Sequence, residues 1–80
     1  MTRMEAELVR IWQEVLGLDH IGVHDNFYEI GGHSLRMIQV ISKIYAELSI
    51  EIPYVFEIQT IKDMAKQMLV WETNTNFEKL

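Results

Sequence analysis

The feature that most constrains this fold is the connection spanning residues 17–33. It holds Gly17, Gly22, Gly31 and Gly32, which break helix, yet it also carries Leu18, Ile21, Val23, Phe27, Tyr28 and Ile30. A solvated linker does not carry that many apolar side chains, and long connections inside small domains are usually packed or functional. The connection is therefore expected to lie on the core with Phe27 as its buried anchor. Asp25-Asn26 is expected to turn the chain through side-chain-to-backbone hydrogen bonds. The connection ends at Gly31-Gly32-His33-Ser34-Leu35, where a strongly apolar helical pattern begins.

Amphipathic stretches flank it on both sides. In residues 2–16, Met4, Leu8, Ile11, Trp12, Val15 and Leu16 recur at three- and four-residue spacing and share one face. Arg3, Glu7, Arg10 and Glu14 lie mostly on the other. Thr2 followed by Glu5 fits a capping box, and Gly17 is a natural helix stop. In residues 34–48, Met37, Val40, Ile41, Ile44 and Leu48 form a broad apolar face on a wheel of about 100° per residue. Arg36, Gln39, Lys43 and Glu47 form the opposite face, and Lys43 reads as solvated. A third helix is expected over 60–71, capped by Thr60 with Asp63, with Ile61, Met64, Ala65, Met68 and Leu69 as its stripe. Pro53 suits the first position of one short helical turn with Phe56 inward. The expectation is an all-α chain, a small four-helix bundle of three main helices and one short one. Residues 1–72 would form the domain and 73–80 a polar tail or linker, where Phe77 is the one side chain that could dock.

Composition removes several function classes. The chain has 80 residues, a formal net charge of −5 and scattered acidic groups. A nucleic-acid binder needs a basic stripe. No apolar run approaches the ~20 residues that span a bilayer, and the first residues have no apolar segment of the signal-peptide kind. With no cysteine, neither a disulfide nor a thiolate metal site can staple the fold, which suits a reducing, cytoplasmic setting.

Ser34 admits two readings. Serine commonly caps helices. A hydroxyl at a helix N-terminus is also a favourable place for an attached phosphate, because the helix dipole stabilises negative charge there. Gly31 and Gly32 would let another protein's active site approach the backbone. Leu35 falls among the polar residues of the wheel and Ile38 lies one turn on from Ser34, so two apolar side chains bracket the serine outside the core. They are either unremarkable exposed residues or a contact patch, with Arg36 on its polar rim. His33 and Asp25 evoke a serine hydrolase, but adjacent helical residues diverge by about 100° and no G-x-S-x-G elbow is present. His20 and His24 lie in a glycine-containing loop without an evident third ligand and read as surface residues. Trp12, Trp71 and the tyrosines read as packing.

Asp25-Asn26-Phe27-Tyr28 and Ile30-Gly31-Gly32-His33-Ser34-Leu35 resemble the signature of peptidyl carrier (thiolation) domains of nonribosomal peptide synthetases. The flanking Ile11-Trp12, Val15-Leu16-Gly17 and Thr60-Ile61 also match, so the resemblance covers about residues 4–71. It implies that a phosphopantetheinyl transferase esterifies Ser34 with 4′-phosphopantetheine from coenzyme A, with Gly32, His33 and Leu35 around the attachment point. The arm's thiol would hold an aminoacyl or peptidyl group as a thioester, so a chain without cysteine takes part in thiol chemistry through its cofactor. The domain would be non-catalytic and monomeric in isolation. It would serve adenylation, condensation and thioesterase domains through Leu35, Arg36 and Ile38, with no nucleic acid or membrane as partner. Ile30 and Tyr28 replace the family's usual Leu and Phe, and Gln59 stands where many members have Pro, which would leave the start of the last helix less rigid. His33 rather than Asp is the commoner family form where no epimerisation domain follows. The alternatives are an acyl carrier protein of fatty-acid or polyketide synthesis, whose second helix is usually acidic, and an unmodified helical interaction module.

Overall fold

Helix α1 (Arg3–Leu16) begins where the sequence predicts. Thr2 has extended backbone, its hydroxyl accepts the Glu5 N–H at 3.1 Å, and the Glu5 carboxylate accepts the Thr2 N–H at 2.8 Å. Two first-turn donors that have no partner within the helix are thereby satisfied. Gly17 ends the helix at φ +69°, and its N–H closes the last turn on the Gln13 carbonyl at 2.8 Å. The computed structural model describes residues 2–52 and 58–68. Helix α2 (Ser34–Leu48) follows the long connection and stops at Ser49. Residues 61–68 are helical and form α3 as far as it is described. The Thr60 hydroxyl accepts the Asp63 N–H at 3.1 Å, as the capping pattern requires. Among the described residues there are three helices and no strand, so the all-α expectation holds. The short helix expected near Pro53, together with Phe56, Leu69, Trp71 and Phe77, lies outside the described residues. No described helix is long and apolar enough to cross a membrane.

All three helices and the connection share one core. Leu8, Ile11 and Trp12 enter from α1, Met37, Val40 and Ile44 from α2, and Ile61, Met64, Ala65 and Met68 from α3. Met4, Val15, Leu16, Ile41 and Leu48, also placed on core faces by periodicity, are only partly buried. The connection contributes Ile21 and a fully buried Phe27, which meets the Trp12 ring edge-on at a centroid distance of 4.8 Å. Trp12 Nε1 is buried and finds no acceptor among the described residues. The indole contributes its volume and its edge-on contact with Phe27 to the core.

The connection is fastened to the start of α3. Phe27 N–H donates to the Gln59 carbonyl at 2.6 Å, and Lys62 N–H to the Val23 carbonyl at 3.0 Å. Within it, Asp25 Oδ2 accepts the Gly22 N–H at 2.8 Å and Asn26 Oδ1 the Tyr28 N–H at 2.9 Å. The expected Asp25-Asn26 turn is present in that form.

Two polar features depart from the sequence reading. Lys43 is not simply solvated: its Nζ bridges Glu14 of α1 at 2.8 Å and Glu47 at 3.2 Å. Arg10 meets Glu7, Glu14 and Glu47, closing a half-exposed network across the two helices. The pairings Arg10–Glu47 and Glu14–Lys43 run in opposite chain directions, so α1 and α2 are antiparallel. Single surface pairs contribute little, but a closed network holds its geometry better. Glu5 is the second departure, because it is buried. Besides closing the cap, it takes Lys62 Nζ at 3.4 Å and so ties α1 to α3.

Phe27→Ala is expected to lower stability by about 3–5 kcal/mol, the range for deleting a buried aromatic ring, measured by urea unfolding. The acid limb gives a second expectation. The Thr2 N–H, then Lys62, holds the Glu5 carboxyl below the 4.5 of an unperturbed glutamate. Lys43 first lowers Glu14, and Arg10 first lowers Glu47. A depressed folded pKa stabilises fully above the unfolded value and is lost as pH falls through the folded one. Thermal midpoints should therefore fall on acidification below about pH 4.5, and Glu5→Gln should make that fall shallower while lowering the neutral-pH midpoint. An unchanged acid limb in Glu5→Gln would count against this assignment.

Candidate functional site

The site is built where the connection enters α2. Gly31 takes φ +111°, with no described residue near the place a Cβ would occupy. His33 is then fully extended (φ −161°, ψ 178°), and its carbonyl accepts the Met37 N–H at 2.9 Å. His33 is thus the N-cap, and Ser34 is the first helical residue. The capping reading of Ser34 is corrected on this point. A capping hydroxyl requires extended backbone at its own residue, and that position falls one residue earlier.

Two consequences follow. The His33 side chain makes no capping hydrogen bond, and the amides of Ser34, Leu35 and Arg36 have no acceptor among the described residues. The first turn of α2 also carries no acidic residue. Ser34 itself is exposed, and its hydroxyl makes no hydrogen bond among the described residues. A reachable hydroxyl beside free amides and the positive end of a helix dipole suits a phosphate ester. Donor amides match phosphate oxygens, and an ester at this position meets no like charge in the helix's first turn.

The two glycines differ in role. A Cβ at Gly32 would overlap the Phe27 ring and lie 2.6 Å from the Phe27 carbonyl oxygen. The Gly32 N–H donates to that same carbonyl at 2.9 Å. The space at Gly32 is therefore filled from within by Phe27, contrary to the expectation that both glycines leave room for a visiting protein. Of these two glycines, Gly31 is the one with open space beside it among the described residues.

Around the serine, Leu35 is 59% and Ile38 50% exposed, as the wheel indicates. Tyr45, 57% exposed, extends the same stripe, and seven residues separate it from Ile38. That spacing was readable in the sequence, but tyrosine passes for ordinary packing. Arg36 Nη1 donates to the Val15 carbonyl and to Gln39 Oε1, both at 3.2 Å, so this rim residue also ties α2 to the end of α1. Tyr28 is partly exposed and meets Phe27 edge-on at 5.3 Å. No hydrogen bond joins His33 to Ser34 among the described residues. His20 and His24 are exposed in the connection.

The family described as "Phosphopantetheine attachment site" matches residues 6–68. The chain belongs to that family. Its cofactor is covalent 4′-phosphopantetheine, and it is a non-catalytic carrier domain of the nonribosomal peptide synthetase kind. Gramicidin S synthase 2 of Brevibacillus brevis is 47% identical over 75 residues, covering 91% of this chain. The match is 2% of that synthase's length, so the chain spans only a small fraction of this relative. Among solved structures, the phosphopantetheine transferase Sfp in complex with coenzyme A and a peptidyl carrier protein matches with a TM-score of 0.79 and 38% identity, covering 88% of this chain and 94% of that one. McyG A-PCP complexed with phenylalanyl-adenylate matches with a TM-score of 0.77 and 28% identity, covering 85% of this chain and 11% of that one. The expected resemblance to peptidyl carrier domains is thus confirmed for the family and the fold.

In this carrier domain the exposed and buried sides of α2 should respond oppositely to truncation. Leu35→Ala and Ile38→Ala should change stability by no more than about 0.5 kcal/mol, whereas Met37→Ala should cost about 2–5 kcal/mol. Gly32→Ala should lose about 1–3 kcal/mol through overpacking against Phe27. Equilibrium denaturation of the four variants checks the pattern, and a large loss in Leu35→Ala or Ile38→Ala would contradict it.

Proposed function

We propose that Ser34 is the attachment residue and that the loaded arm carries an aminoacyl or peptidyl group between domains of a nonribosomal peptide synthetase. One observation carries this reading: among the described residues, the Ser34 hydroxyl is exposed and has no hydrogen-bond partner, on a helix N-terminus whose first amides have no acceptor. In the transfer, Ser34 Oγ forms the new P–O bond, the pyrophosphate link of coenzyme A breaks with adenosine 3′,5′-bisphosphate as the leaving group, and the hydroxyl proton leaves with the transferase's base. The chain supplies only the acceptor oxygen and the amides of Ser34, Leu35 and Arg36 toward the phosphate. Once attached, the arm supplies the thiol that this sequence lacks.

The partners follow from the same reading. A phosphopantetheinyl transferase modifies the domain, supported by the likeness to the carrier in the Sfp complex. An adenylation domain loads it, supported by the likeness to McyG A-PCP. Condensation and thioesterase domains then act on the bound group. Leu35, Ile38 and the rim residue Arg36 form the contact patch, with Gly32 and His33 shaping the approach to Ser34. Residues 1–72 act as a monomeric cytoplasmic module, with 73–80 as its polar tail or linker. The basic character of α2, with Arg36 and Lys43 against Glu47 alone, favours peptidyl over fatty-acyl or polyketide partners.

Incubation with coenzyme A, magnesium and a broad-specificity transferase should add one phosphopantetheine to the intact mass of the wild type and of Ser42→Ala, and none to Ser34→Ala. An unchanged wild-type mass, or equal labelling of Ser34→Ala, would overturn the reading.

A further inference from the structure

Gln59 reaches the serine through a short run of contacts that the attachment chemistry itself does not require. Its carbonyl accepts the Phe27 N–H at 2.6 Å, and its Oε1 accepts Asn26 Nδ2 at 3.0 Å. Gln59 therefore grips two consecutive residues of the connection, one by backbone and one by side chain. Asn26 is held on its other side as well, because its Oδ1 accepts the Tyr28 N–H at 2.9 Å. Phe27 then grips Gly32 twice, through the carbonyl that takes the Gly32 N–H at 2.9 Å and through the ring that fills the space where a Cβ would be. Gly32 stands two residues before Ser34.

We propose that Gln59 and Asn26 are positioning residues for modification of Ser34. Their side-chain bond latches the connection to the start of α3 and so fixes the Phe27–Gly32 contact from which Ser34 is presented. The inference rests on the carrier reading of Ser34. The sequence would leave the chain before α3 less rigid, because Gln59 lacks proline's fixed φ. The structure shows what the glutamine side chain offers instead, a hydrogen bond that proline cannot make.

The latch acts on binding rather than on the chemical step. An unlatched connection presents Ser34 in the reactive arrangement for a smaller fraction of the time. The transferase's apparent affinity falls by that fraction, while turnover of the bound complex is unchanged. The bond is exposed, so its loss should be felt at the size of one net hydrogen bond, about threefold to tenfold. Glutamate at 59 keeps an acceptor for Asn26 Nδ2. Aspartate at 26 keeps an acceptor for the Tyr28 N–H and can take the Gln59 side-chain amide after it rotates.

The test is steady-state transfer from coenzyme A by a broad-specificity transferase, with the apo domain as varied substrate. The variants are Gln59→Ala, Asn26→Ala, the double variant, Gln59→Glu and Asn26→Asp, with Val9→Ala on α1 as a destabilised control. KM for the domain should rise about threefold to tenfold in Gln59→Ala at unchanged kcat. Amide exchange at Gly32 should quicken in parallel. The double variant should be no worse than Asn26→Ala, and Gln59→Glu, Asn26→Asp and Val9→Ala should all stay near wild type. An unmodified wild type would overturn the carrier reading and this inference with it. A modified wild type with unchanged KM in Gln59→Ala, strictly additive single effects, or an equal rise in Val9→Ala would overturn the positioning role alone.

Discussion

The structure depends on the contact between the Phe27 ring and the bare backbone of Gly32. The ring is fully buried against Trp12, and it can sit there only because Gly32 has no Cβ. The connection needs this contact because it has no helix or strand of its own to bury its backbone. A loop that carries the functional residue must be mobile enough to be visited, yet fixed enough to present one geometry. One aromatic side chain folded back on the glycine just before α2 meets both needs. It joins the segment to the core from below and leaves the side bearing Gly31 and Ser34 open to solvent.

The arrangement around α2 follows from how charge and apolar surface are divided about its axis. At about 100° per residue, Met37, Val40 and Ile44 occupy the core direction. Lys43 and Glu47 occupy one flank, and Leu35, Ile38 and Tyr45 the other. The antiparallel approach of α1 consumes the charged flank, through Arg10 and Glu14. Glu14 and then Glu47 raise the Lys43 pKa above its ordinary 10.5. That contribution is present at neutral pH and is lost only as pH rises through the raised value. The ion pairs therefore act as a directional tie. They hold α1 on one side of α2 and leave the opposite flank, where the serine and its apolar neighbours lie, uncovered.

Much of this was legible in the chain, and what was not has definite physical causes. The Thr2–Glu5 capping box, the Gly17 stop, Phe27 as anchor and the exposure of Leu35 and Ile38 all follow from local spacing. The capping residue of α2 lies one position before Ser34 because His33 takes the extended backbone, which no side-chain pattern encodes. The burial of Glu5 was not legible because its second partner is Lys62, far along the chain and on another helix. Lys43 looked solvated because a wheel gives each residue an angle but does not say from which angle the next helix approaches. A glycine pair in the sequence shows freedom of backbone without showing what fills the vacant space, which at Gly32 is the Phe27 ring.

The size of the exposed stripe limits how a carrier of this kind can bind. Stable complexes bury about 800 Å² per partner, far more than Leu35, Ile38 and Tyr45 present. Association also costs translational and rotational freedom before any contact contributes. A patch this small gives weak, rapidly reversible docking, which suits a domain that must leave one partner before meeting the next. On the proposed reading, connection to neighbouring domains supplies the remainder, since a tethered module meets each partner at a high effective concentration without new contact area. A larger or stickier patch would tighten one encounter and slow departure from it. On the proposed reading, the modest apolar flank of α2 is therefore matched to a tethered carrier, and rigidity is placed beneath the serine, in Phe27 and Gly32, rather than in the docking surface.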